Sequence, residues 1–161
     1  MNAIIIEGAD LCGKSTLVKK LSNKYNLDIV HCTSHDPKDL TFYKQLARKT
    51  NVVFDRHFIG EQIYPNIYKR ISEMSLSEAV DLNKWLKDHD VKTLVLTADN
   101  DELLRRLSIR GEEVQSVRDN LSKINASFVK YANQFNVPVV DTSKVDFEDI
   151  CHYVETGEVK W

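Results

Sequence analysis

Gly8-Ala9-Asp10-Leu11-Cys12-Gly13-Lys14-Ser15 spells GxxxxGK(S/T) directly behind the apolar run Ala3-Ile4-Ile5-Ile6-Glu7. The chain therefore opens on a strand, a phosphate-binding loop and a helix. Glycines let such a loop curl until successive N–H groups point inward at phosphate oxygens, a lysine adds a point charge on the outer phosphates, and the serine hydroxyl suits Mg²⁺. The loop residues Gly8, Asp10, Cys12, Gly13, Lys14, Ser15 and Thr16 are thus candidate ligands of a nucleoside triphosphate, with Ser15 a candidate metal ligand. Leu17, Val18, Leu21 and Tyr25 mark one face of a helix over Thr16 to Tyr25, whose N-terminal dipole favours the anion as well.

Outward from this stretch, short runs rich in Val, Ile and Leu at 27–31, 51–55, 91–97 and 137–141 read as further strands. Helical patterns separate them at 40–49, 59–74, 77–87, 101–110 and 114–135. The last repeats Val114, Val117, Leu121, Ile124, Phe128, Tyr131 and Phe135 at steps of three and four, a stripe expected to face the core. Such alternation predicts an α/β fold with a parallel sheet covered on both faces and right-handed crossovers. The tail from Glu155 to Trp161 reads as the least structured segment. With 161 residues, 42% hydrophobic and 29% charged, and only three prolines and five glycines, the chain suits a single domain over 1–161.

A net charge of −2 argues against a broad electrostatic footprint for duplex nucleic acid. No apolar stretch approaches the roughly 20 residues of a membrane helix and no signal-like leader opens the chain, so a cytoplasmic protein is expected. The three cysteines are too widely spaced for a disulfide framework or a CxxC metal site. Cys12 carries two readings, a small loop residue or a thiol whose pKa the helix terminus and Lys14 lower enough for alkylation. His31 and His35 lack a third ligand at regular spacing and read as hydrogen-bonding loop residues.

Two further clusters carry chemistry. Val52-Val53-Phe54-Asp55-Arg56-His57 ends an apolar strand on an acid, where open α/β sheets bind ligands. Asp55 there can hold Mg²⁺ or accept a proton from an attacking hydroxyl, and Arg56 can fork onto a phosphate or restrain the carboxylate. In Leu103-Leu104-Arg105-Arg106-Leu107-Ser108-Ile109-Arg110-Gly111, Arg106 and Arg110 share a helix face, so both can close on a transferring phosphoryl group if Gly111 ends the helix in a flap. Lys14, Asp55, Arg56, Arg106 and Arg110 are the candidate catalytic residues.

Together these residues resemble the thymidylate kinases and related nucleoside and nucleotide kinases of the P-loop class. Ile6-Glu7-Gly8-Ala9-Asp10 through Lys14-Ser15-Thr16 is similar to the family's EGxDGxGKST opening. Asp55-Arg56-His57 with Tyr64 downstream is similar to its DR(Y/H) segment and following AYQ. Arg106 and Arg110-Gly111-Glu112 fit a short lid around 106–115, and Asp141-Thr142-Ser143 fits the DAS segment near the adenine. The resemblance implies a three-layer P-loop kinase fold with a five-stranded parallel sheet in the order 2-3-1-4-5, ATP and Mg²⁺ as cofactors, and phosphoryl transfer to a deoxynucleoside monophosphate. A homodimer also fits. It further implies that Asp141, Thr142 and Ser143 border the nucleotide, that Asp10, Arg56 and Tyr64 bind the acceptor, and that lid arginines replace a P-loop arginine, because Leu11 stands at that position.

Departures concentrate on the acceptor side. The chain is shorter than typical members between its second and third strands, His31-Cys32-Thr33-Ser34-His35-Asp36-Pro37 replaces the PxGT acceptor loop, and Gly60 and Pro65 stand where serine and glutamine are expected. A modified pyrimidine deoxynucleotide, a free nucleoside phosphorylated on its 5′-hydroxyl, or a base substituent on DNA remain alternative acceptors. A different class is a nucleotide hydrolase or switch with water as acceptor. Against it, Asn83-Lys84-Trp85-Leu86 lacks the aspartate of a guanine-reading NKxD, and no Asp-Glu pair follows the Asp55 strand.

Overall fold

The computed structural model describes residues 1–111 and 115–161, with the backbone alone described for 115–117. Strand β1 (Ile4–Gly8) is buried along its whole length, Glu7 included, as a central strand covered on both faces must be. It pairs in parallel with β3 (Val52–Asp55) and β4 (Lys92–Thr97), while β2 (Asp28–His31) adds outside β3 and β5 (Val139–Asp141) outside β4. The sheet is five-stranded, all parallel, in the order β2-β3-β1-β4-β5 with helices on both faces, as the sequence leads one to expect. Ile6 lies opposite Asp55, so β3 ends level with the start of the phosphate loop.

Helix α1 (Lys14–Tyr25) follows Gly13, which sits in left-handed conformation at its N-cap, and packs on β1, β2 and β3. Helix α7 (Phe147–Thr156) lies beside it, joined by Lys24–Glu148 and Tyr25–Glu155 hydrogen bonds. Helix α6 (Gln115–Phe135) contacts β1, β4 and β5 and brings Leu121, Ile124, Phe128 and Phe135 into the core. Val114, expected on the same stripe, lies outside the described residues, as does the side chain of Val117. Helix α2 (Leu40–Ala47), capped by Asp39, meets α4 (Leu76–Asp88), which opens on a capping box between Ser75 and Glu78. Asn83 of the NKxD-like stretch lies inside α4, where it donates to the Phe135 carbonyl. Helix α5 (Asn100–Ile109) buries Leu103 and Leu107. Among the described residues no helix is long and apolar enough to cross a membrane.

Three expectations need correction. The helix expected over 59–74 is a 3-10 turn (Ile59–Gln62), a short helix α3 (Tyr64–Tyr68) and an irregular return to α4. Pro65 has no N–H to bond back to Glu61, so it can only open a helix, and Lys69 closes that helix in left-handed conformation. The second is α7 itself, which the sequence reading did not include. Third, the tail is anchored: Trp161 is half-buried, its Nε1 donates to the Val139 carbonyl at 2.9 Å, and its ring meets Tyr153 edge-on.

Candidate active site

Two hollows open at the carboxyl edge of the sheet and share Asp10 and Arg56. The first, of about 590 Å³, lies against the phosphate loop. Its geometry starts at Gly8, where φ is +140° and a Cβ would stand 2.5 Å from the Leu96 carbonyl oxygen, so only glycine lets β1 turn into the loop beside β4. Gly13, at φ +91°, turns the chain into α1. The first intrahelical bond runs from Leu17 N–H to the Gly13 carbonyl, leaving the N–H groups of Lys14, Ser15 and Thr16 without i−4 partners. Those donors, the helix dipole and five cations, Lys14, Lys20, Arg56, Arg106 and Arg110, suit the cavity to a polyanion.

Lys14, Arg56 and Arg106 rest on the loop itself. Lys14 Nζ donates to the Ala9 carbonyl at 2.7 Å; burial, reinforced by repulsion from Arg56, lowers its pKa. Arg106 Nη1 donates to the Leu11 carbonyl at 2.5 Å while its Nε binds Glu102. Leu11 has φ +66°, a left-handed conformation that turns its carbonyl toward Arg106. The i, i+4 relation read from sequence does bring Arg106 and Arg110 to one hollow. Ser15, Thr16 and Asp55 also line it. Of the 141–143 segment only Thr142 does, its Oγ1 3.4 Å from where a Gly13 Cβ would be. Asp141 and Ser143 instead close a turn, the Ser143 N–H and hydroxyl both donating to Asp141 Oδ1. Val145, Phe147 and Ile150 form an apolar end of the hollow that the sequence reading missed, because α7 went unread.

Cys12 does not line this space. It is buried, its Sγ donates to Asn125 Oδ1 at 3.5 Å, and burial pushes the thiol up to about 11, so the small loop residue is the reading that holds and the alkylation-prone thiolate is not. Asn125 also accepts from Thr97 and donates to the Ala98 carbonyl, tying α6 to β4 and the loop tip. Asp55 is buried at the end of β3; its Oδ2 meets His31 Nδ1 at 3.2 Å and its Oδ1 has no partner. Arg56 does not restrain Asp55. In left-handed conformation at φ +73°, it turns to Asp10, Nη2 to Oδ1 at 2.6 Å. His35 takes no part in a metal cluster, and among the described residues no group of three His, Cys, Asp or Glu could hold a metal ion. Ser15 and Asp55, the metal-ligand candidates read from sequence, both line the first hollow.

The second hollow, about 280 Å³, has aromatic walls from Tyr43, Tyr64 and Tyr68. Of these three tyrosines the sequence pointed to Tyr64 alone, beside Asp10 and Arg56, which also line the hollow. The rest comes from tertiary packing. Glu7 and His57 are both buried at this hollow. Glu7 Oε1 accepts from Ile59 N–H at 2.7 Å, yet Oε2 has no partner. Burial lifts its pKa from 4.5 to about 7, against the main-chain N–H groups of Ile59 and His57 and the charges of Lys14 and Arg56. Neither His57 nitrogen finds a partner of good geometry, and burial among Tyr43, Phe54 and Phe58 takes the ring down to about 3. Glu61, with no exposed side chain, receives a forked pair from Arg70 at 2.9 and 2.6 Å. A third and larger hollow lies at the opposite edge of the sheet, by Lys92 and Trp161, away from the loop.

No family model matches the sequence. The SPbeta prophage-derived uncharacterized protein YorR of Bacillus subtilis (strain 168) is 29% identical over 125 residues, spanning 74% of this chain and 75% of that protein. The crystal structure of YorR from Bacillus subtilis in complex with phosphorylated GDP superposes at a TM-score of 0.82 with 24% identity, covering 96% of both chains. Deoxyadenosine kinase from M. mycoides with bound dATP superposes at 0.63 with 18% identity, covering 97% of this chain and 100% of that one. Thymidylate kinase from Candida albicans superposes at 0.58 with 20% identity, covering 97% and 92%. The fold is that of the P-loop kinases.

Proposed function

We propose that the chain is an ATP- and Mg²⁺-dependent phosphotransferase, a single catalytic domain over 1–161 acting in the cytoplasm on a small nucleoside or nucleotide acceptor. One observation carries the reading. A cationic hollow at the phosphate loop and an aromatic-walled hollow meet at Asp10 and Arg56, as a donor site and an acceptor site must for one group to pass between them. A hydrolase needs no second hollow of this kind.

In this reading Lys14 and the N–H groups at the start of α1 hold the ATP phosphates. Ser15 and Asp55 would hold Mg²⁺, which when bound neutralises phosphate charge. Arg106 and Arg110 close on the transferring group as a lid around 106–115, of which 112–114 lie outside the described residues. Apolar Val145, Phe147 and Ile150 suit the adenine. Tyr64 and its neighbours take the acceptor. The resemblance to thymidylate kinases makes a deoxynucleoside monophosphate the first acceptor to test and a deoxynucleoside 5′-hydroxyl the second.

The test is ADP release from Mg-ATP with a panel of deoxynucleosides and their monophosphates, beside Lys14→Ala. Acceleration by an acceptor, reduced at least 100-fold in the variant with its circular dichroism unchanged, is expected. Turnover that ignores acceptors would mean a hydrolase, and full activity of the variant would refute the assignment.

A further inference from the structure

The polar groups around the second hollow bear on what it can hold, given the reading of that hollow as the acceptor site. Its three cations are each engaged by the protein. Lys38 Nζ donates to the carbonyls of Thr33 and Asp36 at 2.7 and 2.8 Å. Arg70 is forked onto Glu61, and Arg56 is paired with Asp10. Opposite them stand three carboxyl groups, Glu7, Asp10 and Glu61, so the lining carries as many acids as bases. A phosphate monoester brings a charge near −2 and three strong acceptor oxygens. Among the described residues this hollow has no uncommitted cation to receive it. Taking Arg56 from Asp10 would leave a bare carboxylate beside the phosphate, a like-charge contact in a partly desolvated space.

Acceptors are left open here instead. Glu7 Oε2 is buried without a partner, and so are both nitrogens of the neutral His57 ring, of which one carries hydrogen and the other accepts. Hydroxyl and amino hydrogens meet that need, and aromatic walls suit a base.

We infer that the second hollow is built for an uncharged nucleoside, presenting hydroxyl and amino donors to Glu7 and His57, and not for a nucleoside monophosphate. Transfer then forms a bond between the nucleoside hydroxyl oxygen and the γ-phosphorus and breaks the bond from that phosphorus to the β–γ bridging oxygen. ADP leaves with the electron pair, and the hydroxyl proton passes to solvent. At pH 8, where phosphate oxygens are ionised, this reaction releases one proton per ADP. A monophosphate acceptor attacks with an oxygen that is already ionised and releases none.

Two measurements on the full chain test this. Calorimetric titration without ATP compares deoxynucleosides with their 5′-monophosphates, and turnover at pH 8 in weak buffer counts protons against ADP separated by chromatography. At least tenfold tighter binding of a nucleoside and one proton per ADP are expected. Glu7→Gln, which retains an oxygen for Ile59 N–H, is expected to weaken nucleoside binding about tenfold and to leave ATP binding unchanged. Tighter binding of monophosphates, binding of neither class, or turnover without proton release overturns the inference. Turnover with monophosphates alone overturns it while leaving the phosphotransferase reading intact. Nucleoside binding with no turnover by any acceptor does the reverse.

Discussion

Replacing Glu7 with Gln should change the pH dependence of folding stability, and the size of the change follows from where β1 ends. Glu7 is fully buried, with one carboxyl oxygen on Ile59 N–H and the other unpartnered. Burial disfavours its anion and lifts its pKa from 4.5 to about 7 despite the nearby main-chain N–H groups of Ile59 and His57 and the charges of Lys14 and Arg56. Because the folded value lies above the unfolded one, the unfolded chain gives up this proton first as pH rises. The group's contribution is therefore complete below pH 4.5, declines through the interval to about 7, and is lost above it. At about 1.36 kcal/mol per pH unit, the interval amounts to about 3 kcal/mol. Glutamine keeps the shape and the Ile59 acceptor but never ionises. Between pH 4 and pH 8 the stability difference between wild type and Glu7→Gln should move by about 3 kcal/mol in favour of the variant. Urea unfolding at pH 4, 6 and 8 and constant ionic strength measures this. A difference that stays constant within about 1 kcal/mol would refute the reasoning.

His57 should act in the opposite sense. Its folded pKa of about 3 lies below the ordinary 6.5, so stability present above pH 6.5 should fall by about 2 kcal/mol by pH 5, and His57→Phe should abolish that loss in the same unfolding series. Trp161→Ala removes a half-buried indole and its bond to Val139 and should cost about 2 kcal/mol, read as a lowered melting temperature; an unchanged value would mean the tail is not anchored. Arg106→Ala should lower kcat about 100-fold with a smaller rise in the KM for ATP, because its contact strengthens on the transferring group. A raised KM at unchanged kcat would assign Arg106 to ground-state binding.

Features carried by contiguous residues were legible in the sequence by itself. Gly8 to Ser15 curl into a phosphate loop through conformations local to that stretch. The central strands β1, β3 and β4 are largely apolar runs, which determined a parallel sheet, although the edge strand β2 is mostly exposed. Arg106 and Arg110 meet because helical periodicity puts them one turn apart. Helix α7 was legible too, with Asp146 before it, Gly157 after it, and Phe147, Ile150, Cys151 and Val154 at helical spacing, although the sequence reading passed over it. The second hollow was legible only in part, through Asp10, Arg56 and Tyr64, which the resemblance pointed to. Its walls bring Glu7 from β1, Tyr43 from α2 and Tyr64 from α3 to one place, and Arg70 reaches Glu61 only because Pro65 and Lys69 break the helix between them. Cys12 shows the same division. Its position beside Lys14 suggests a reactive thiol, but burial against Asn125 of α6 reverses the sign of its pKa shift. Local backbone geometry thus determined the parallel α/β class and the phosphate loop from sequence, while the strand order followed from the resemblance to the P-loop kinases. Long-range packing alone decided which polar groups are buried, paired or left open, since desolvation and hydrogen bonding depend on neighbours far away in the chain.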